Sequence, residues 1–377
     1  MTCDLVSIAD LSDAEVTGLL DAAEAFAADV RAHAARRRDA VLATLFLEPS
    51  TRTRLSFEAA MLRLGGRVVT SSDAKSSSSS KGETLADTVR MVDGYADAIV
   101  LRHPSAGAAR LAADVARRPV INGGDGGREH PTQTLVDLFT LRRRFGRLRG
   151  LTVVLWGDLR YGRTTHSLAE ALVRFGARAL LLAEPGLEFP ADVLEHVVAG
   201  GATAVPVRAT GAEALFGGTA PAAVLLGRDD PSDGVYRFDR EPPDAVYVTR
   251  VQAERLPGGA TAVRRLPVVD RALLGHPAFA ETAILHPLPR VGEISPEIDG
   301  DPRALYFQQA EAGVPVRMAL LDAVLGGRPF GGARNAEPAP GFRCAAPACI
   351  GAGEAVPPLR TKDGRRCGYC GAGCRSS

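Results

Sequence analysis

Short apolar runs, each ending in a polar or charged cluster and followed by a helical stretch, recur along this chain and restrict its fold more than any other feature. AVLATLFLE at 40–48 is the first, and comparable runs lie at 98–101, 119–122, 151–156, 179–183, 245–249 and 282–286. Runs of this length bounded by turn residues predict buried strands. Between them, apolar positions at helical spacing predict helices over 14–37, 55–64, 132–145, 164–175, 191–199 and 316–325. Strands alternating with helices imply an α/β fold in which parallel sheets are flanked by helices. At 377 residues the chain exceeds what one core usually supports, so two such domains are expected. The first spans 1–131 and is completed by a returning C-terminal helix at 313–327, and the second spans 132–312. A flexible linker at 328–342 and a small module at 343–377 follow, and the Gly-, Pro- and Asp-rich segment 217–244 is expected to be an exposed insertion.

With 46% hydrophobic and 24% charged residues, the composition is that of an ordinary soluble globular protein. A net charge of +1 gives no global pull toward nucleic acid or a membrane surface, so any anion must be held by local clusters. No apolar run approaches the roughly 20 residues of a membrane span. The N-terminal MTCDLVSIADLSDAE lacks the basic-then-apolar layout of a signal, so the cytoplasm is expected. Lysine occurs only at Lys75, Lys81 and Lys362, and two of these border one serine-rich stretch, which points to a specific need for lysine there. Cys3 stands alone, whereas Cys344, Cys349, Cys367, Cys370 and Cys374 crowd the C-terminal end, a clustering that favours a metal site over disulfides.

The polar clusters sit where anions are usually held. Ser50, Thr51, Arg52, Thr53 and Arg54 follow a strand and open a helix, so free backbone N–H groups, hydroxyls and guanidinium groups face one point. Helix capping by Ser50 or Thr51 with solvated arginines is the plainer explanation, and five such residues in a row tilt the reading to an anion site. Arg102-His103-Pro104 forms a second cluster, and the run from Gly124 to Gln133, with Arg128, Glu129 and His130, forms a third. In open α/β folds ligands collect outside the carboxyl ends of strands, so the three clusters predict one shared site. Further along, the run from Gly157 to Thr164, Thr249-Arg250-Val251-Gln252, and His286-Pro287-Leu288-Pro289-Arg290 also follow apolar runs. Arg163 and Arg250 suit two carboxylates.

Taken together, FLEPSTRTRLSFE, KGETLADT, LRHP, NGGDGGREHPTQTLVDLFT, GDLRYGRTTHSL, VYVTRVQAER, ILHPLPRVGEI and YFQQAEAGVPVRMALL resemble, in order, the motifs of the aspartate carbamoyltransferase family over nearly all of residues 40–325. Ornithine enzymes are similar early on but carry a cysteine in place of Leu288 and a different second-substrate motif. The resemblance implies the aspartate/ornithine carbamoyltransferase fold, with a carbamoyl-phosphate-binding domain first and an aspartate-binding domain second. It implies transfer of a carbamoyl group from carbamoyl phosphate to L-aspartate in pyrimidine synthesis, with no cofactor for catalysis. Ser50, Thr51, Arg52 and Thr53 are then expected to hold the phosphate. Arg52, Thr53, Arg102 and His130 surround the carbonyl oxygen, and Gln133, Leu288 and Pro289 meet the carbamoyl amide. Arg163, Arg250 and Gln252 bind aspartate, and Lys81 with Ser77 reaches in from a neighbouring subunit, which implies a homotrimer with shared sites.

The C-terminal spacing Cys344-x4-Cys349-x17-Cys367-x2-Cys370 is that of a four-thiolate zinc site, with Cys374 left over. FRCAAPACI and RRCGYC are similar to the zinc domain of the separate regulatory chain of aspartate carbamoyltransferase, here fused and without a nucleotide-binding domain. The zinc is expected to be structural, and the module to dock on its own trimer or bridge two trimers. Three rival readings remain from sequence. One is a carbamoyltransferase for another amino acid such as ornithine, and another is an inactive scaffold, which would not need Arg52, Lys81, Arg102, His130, Arg163 and Arg250 together. The third is a nucleic-acid-binding tail, which its basic residues suggest but which lacks an aromatic row for base stacking.

Overall fold

The computed structural model describes residues 3–72, 82–216, 222–227, 233–252, 255, 268–330 and 336–373. Ser77, Lys81 and Cys374 lie outside the described residues. The chain forms two compact units, Met1–Phe139 with Ala312–Ser377 and Thr140–Glu311.

Unit 1 is built on four parallel strands, β1 (Val41–Phe46), β2 (Arg67–Ser71), β3 (Ala98–His103) and β4 (Val120–Asp125), in the order β2-β1-β3-β4. The helices α1 (Asp13–Ala28), α2 (Thr51–Arg63), α3 (Leu85–Val92) and α4 (Ala108–Val115) connect or precede them. Ser12 and Glu15 form a capping box that starts α1. The helix stops at Ala28, short of the expected 37, because the Asp29 carboxylate accepts from the N–H groups of Arg31 and Ala32 at 3.0 and 3.1 Å. That local turn competes with helix continuation. The register of β3 on β4 shifts between Leu101 and His103, an irregularity beside the polar cluster and of the kind that re-aims side chains at strand ends.

Unit 2 carries seven strands: β5 (Thr152–Gly157), β6 (Arg178–Ala183), β7 (Thr203–Thr210), β8 (Ala222–Gly227), β9 (Val235–Arg237), β10 (Ala245–Thr249) and β11 (Ala283–Leu285). The sheet order is β11-β10-β5-β6-β8-β7-β9. From β11 to β6 the strands are parallel, whereas β8 runs antiparallel to both β6 and β7, so this sheet is mixed where a parallel one was expected. The helices are α5 (Pro131–Phe145), α6 (Arg163–Arg174), α7 (Ala191–Ala199), α8 (Ala212–Phe216), α9 (Arg271–Leu274) and α10 (Tyr306–Leu325). The boundary between the units falls inside α5 and inside α10.

The stretch 217–244 is not the exposed insertion expected from its composition. It supplies β8 to the middle of the sheet, and Leu225, Leu226, Tyr236 and Phe238 are buried. Phe238 meets Phe216 edge-on at 5.5 Å and Trp156 meets it at a tilt at 4.5 Å, within one core. The apolar run AAVLLG carries that burial, and the turn residues around it masked the signal.

Beyond α10, β12 (Ala336–Pro338) pairs antiparallel with β13 (Leu359–Thr361), and α11 (Ile350–Gly353) lies between them in sequence. The end of the expected linker is therefore a strand of the cysteine module. The module belongs to unit 1, and Cys349, Ile350, Cys367 and Tyr369 are buried in the same core as Leu85 and Val89 of α3 and Leu111 and Ala112 of α4. Among the described residues no helix is long and apolar enough to cross a membrane.

Candidate active site

In unit 1 the adjacent strands β1, β3 and β4 deliver the expected residues at their C-terminal ends. Ser50 is the extended residue before α2, with φ −162°, and its side chain makes no capping hydrogen bond. The capping explanation therefore fails for Ser50. Thr51, Arg52 and Thr53 form the first turn, where N–H groups lacking helical partners and the helix dipole favour a phosphate. From β3, the Arg102 guanidinium lies 3.2 Å from Glu48 and donates to the Gly123 carbonyl at 3.2 Å. From the end of β4, His130 is 4% exposed, with the Thr53 hydroxyl 3.4 Å from Nε2 and the Thr132 hydroxyl 3.4 Å from Nδ1. Both neighbours can donate or accept, so the ring can present either nitrogen as a donor. Gln133, in the first turn of α5, donates its amide to Asp137 at 2.8 Å, which orients its carbonyl oxygen.

The turn before His130 is pinned from within. Asp125 is buried and accepts from the Gly107 N–H at 2.8 Å and the Asn122 amide at 3.1 Å, and burial pushes its carboxyl up to about 6. Gly126 has φ +52°, and a Cβ there would lie 2.7 Å from the Ala106 nitrogen, so only glycine fits. Arg128, part of the third anion cluster in sequence, turns to the Tyr369 carbonyl and to Glu129 instead. Burial pulls the neighbouring His103 down to about 4, which keeps that ring neutral.

In unit 2 the same pattern recurs on β5, β10 and β11, again neighbours in the sheet. Arg163 opens α6 and is 7% exposed. Arg250 and Gln252 follow β10. The fully buried Asp158 joins the two loops: it accepts from the N–H groups of Arg160 and Tyr161 at 3.2 and 2.9 Å and from the Gln252 N–H at 2.9 Å. The Gln252 amide donates to the Tyr161 carbonyl at 2.6 Å, which leaves its oxygen as the group to meet a ligand. After β11, Leu288 takes φ +56° and precedes a cis bond to Pro289; it is the non-glycine residue at positive φ among those described. The Leu288 N–H donates to His286 Nδ1 at 2.7 Å, so Nε2 carries the proton and donates to Glu293 at 2.7 Å. This buried pair holds Leu288 in a left-handed conformation that a branched side chain disfavours. Arg290 is committed to Asp299 and Tyr306.

Cys344, Cys349, Cys367 and Cys370 place their sulfurs within 4.8 Å of one another, with Cys344 to Cys370 at 3.5 Å and Cys349 to Cys367 at 3.8 Å. These separations exceed a disulfide of about 2.05 Å. They match the edges of about 3.8 Å expected of a tetrahedron whose metal–sulfur bonds are about 2.3 Å. Contact with Cys349, then with Cys370, pulls the Cys367 thiol down, whereas contact with Cys367 pushes Cys349 up to about 12. Four thiols at this spacing cannot all ionise unless a cation sits among them, so the donor set fits a thiophilic metal ion.

Family models describe the same two halves. The aspartate/ornithine carbamoyltransferase carbamoyl-P binding domain matches residues 3–143, and the Asp/Orn binding domain of the same enzymes matches residues 241–324. The aspartate carbamoyltransferase catalytic subunit of Thermococcus onnurineus is 46% identical over 327 residues, covering 86% of this chain and 97% of that protein. The chain belongs to the aspartate/ornithine carbamoyltransferase family. Among solved structures, the catalytic subunit of M. jannaschii aspartate transcarbamoylase shares 38% identity at a TM-score of 0.69, covering 86% of this chain and 98% of that one. The Trypanosoma cruzi aspartate transcarbamoylase in complex with carbamoyl phosphate and aspartate shares 34% identity at 0.67, covering 85% and 95%. Both family models end before the cysteine module begins.

Of the residues assigned through the carbamoyltransferase motifs, unit 1 gathers Ser50, Thr51, Arg52, Thr53, Arg102, His130 and Gln133 at one sheet edge. Unit 2 gathers Arg163, Arg250, Gln252, Leu288 and Pro289 at another. Sequence reasoning missed the buried supports Asp137, Asp158 and Glu293. Asp137 was within reach, because a carboxylate four residues after Gln133 in a predicted helix shares its face. Asp158 and Glu293 act across loops, and no local pattern reveals them.

Proposed function

We propose that the chain transfers the carbamoyl group of carbamoyl phosphate to the amine of L-aspartate, giving N-carbamoyl-L-aspartate and phosphate. The observation that carries the choice of aspartate is the pair Arg163 and Arg250 at the ends of the adjacent strands β5 and β10. Two guanidinium groups match a dicarboxylate, whereas ornithine brings one carboxylate and a cationic side chain. The reaction is direct acyl transfer. The neutral amine attacks the carbamoyl carbon, the carbon–oxygen bond to phosphate breaks, and the departing phosphate takes the amine proton. Negative charge grows on the carbonyl oxygen, and Arg52, Thr53, Arg102 and His130 are the donors that stabilise it. Gln133, Leu288 and Pro289 fix the carbamoyl amide. No protein nucleophile is required, so much of the rate comes from positioning.

Lys81 and Ser77 complete the site from a neighbouring subunit of a homotrimer, in an enzyme of cytoplasmic de novo pyrimidine synthesis. The metal of the cysteine module is Zn²⁺, held by Cys344, Cys349, Cys367 and Cys370. Four thiolates leave no open coordination position, so its role is structural. Purified protein assayed with carbamoyl phosphate and, in turn, aspartate, ornithine and succinylornithine is expected to turn over aspartate. Turnover of ornithine alone would overturn the substrate assignment, and no turnover would support the scaffold reading.

A further inference from the structure

Within unit 1, the cysteine module touches the turns that carry the phosphate-site residues. The Ala106 N–H donates to the Ala348 carbonyl at 2.8 Å and the Ile350 N–H donates to the Ala106 carbonyl at 2.9 Å, bracketing the ligand Cys349. Ala106 closes the turn that leaves β3 after Arg102 and His103. Next to it, Gly107 has φ +84°, and a Cβ there would lie 2.6 Å from the carbonyl carbon of Tyr369, so the two backbones are in direct contact. Tyr369 stands between the ligands Cys367 and Cys370, and its carbonyl accepts from Arg128. Arg128 lies two residues before His130, and the adjacent Glu129 accepts from the Ile8 N–H at 3.2 Å.

From these contacts we infer that the thiolate module is a metal-dependent clamp on the phosphate site, with Arg128 as the positioning residue that transmits it. The inference rests on the proposed carbamoyl-phosphate role of the 50–53 and 102–130 residues. Among its described residues the module's regular structure is slight, two three-residue strands and a four-residue helix, so a metal held by the four thiolates would supply most of its order. Without metal, the segments at 348–350 and 369 lose their fixed places. The Ala106 N–H and the Arg128 guanidinium then lose their partners together. Arg128 keeps Glu129 and Asp125 as the nearest charges, and pairing with them alone rotates the turn on which His130 stands. All the residues named in these contacts belong to unit 1, so aspartate recognition by the unit 2 residues is expected to be unaffected by this route.

The test uses the full chain with three readouts: metal content, inorganic phosphate binding by calorimetry, and hydrogen exchange at 104–107 and 126–130. Stripping the metal under reducing conditions is expected to weaken phosphate binding about tenfold or more, in line with loss of a charge-assisted hydrogen bond. Exchange should rise first in those two turns. Arg128→Gln is expected to keep its metal yet show the same loss of phosphate affinity, with a raised KM for carbamoyl phosphate and an unaltered KM for aspartate. If Arg128→Gln fails to fold, Arg128→Lys, which keeps the charge and one donor, carries the same comparison with a smaller loss. Unchanged phosphate affinity in the metal-free chain or in the metal-loaded variant would overturn the clamp. So would exchange that rises throughout unit 1 rather than in the two turns. Should the loaded wild-type chain make no carbamoyl aspartate, the proposed function fails, while the phosphate titration still decides the clamp.

Discussion

Replacing Asp137 by alanine removes a charge that two functional elements share. Its carboxylate accepts from Gln133 and is the charge that supports the buried Arg317, which is 3% exposed. Burial pulls the Arg317 guanidinium down to about 10 even with Asp137 opposing the shift. A depression of that size means that the site disfavours the charged form by roughly 3 kcal/mol. The compensation left to Arg317 would be the Gly313 carbonyl at 3.1 Å and the Phe57 ring at 5.0 Å. Asp137 acts on Arg317 through its field rather than through an ion pair, and taking it away leaves the buried guanidinium undercompensated at a cost of about 1–3 kcal/mol. Asp137→Ala is therefore expected to lose about that much in urea unfolding. Because an apolar pair of similar volume is often tolerated, Asp137→Ala with Arg317→Met should regain most of it, a coupling of similar size in a double-mutant cycle. Carbamoyl phosphate affinity should stay low in both variants, since neither restores the acceptor for Gln133. Additive losses, or a single-variant loss under about 1 kcal/mol, would refute the reasoning.

Arg250→Ala is expected to weaken aspartate by about ten- to a hundredfold, from loss of a charge-assisted contact, and to leave carbamoyl phosphate binding nearly unchanged; calorimetry showing the reverse would contradict the division of labour. Burial holds His103 at about 4, below its ordinary value of 6.5. Its contribution to stability is therefore present above about pH 6.5 and lost as pH falls toward 4, by at most about 3 kcal/mol. His103→Asn should flatten the stability profile over that window, and an unchanged slope would count against it. Lys81→Ala and Arg52→Ala should each abolish most activity, and mixing the two under subunit exchange should restore some. No recovery despite demonstrated exchange would exclude the shared trimer site.

Much of the site was legible in sequence because its residues sit at strand ends, where an apolar run stops and a helix begins. Ser50 to Thr53, Arg102 and His130 could be found in this way, and the resemblance to the family motifs supplied the roles proposed for them. The supporting layer was hidden because Asp158 and Glu293 act through loops whose approach depends on the tertiary fold. Local composition misled at 217–244, where Gly, Pro and Asp flank a six-residue strand that fills the sheet between β6 and β7. It misled again at Arg128, which looks like an anion ligand beside His130 but is held by the Tyr369 carbonyl, more than two hundred residues away in sequence. The four-thiolate spacing was legible, whereas its docking on α3, α4 and the Ala106 turn was not.

The central claim is direct transfer from carbamoyl phosphate to aspartate, and isotope tracing tests it most directly. The purified protein would be incubated in heavy-oxygen water with carbamoyl phosphate labelled at carbon and aspartate labelled at nitrogen, and the products read by magnetic resonance and mass spectrometry. Direct transfer predicts N-carbamoyl-L-aspartate whose two labels are joined by one bond, together with phosphate that has taken up no solvent oxygen. Phosphate carrying solvent oxygen, or labelled carbon appearing as a hydrolysis product without the bond to nitrogen, would contradict it.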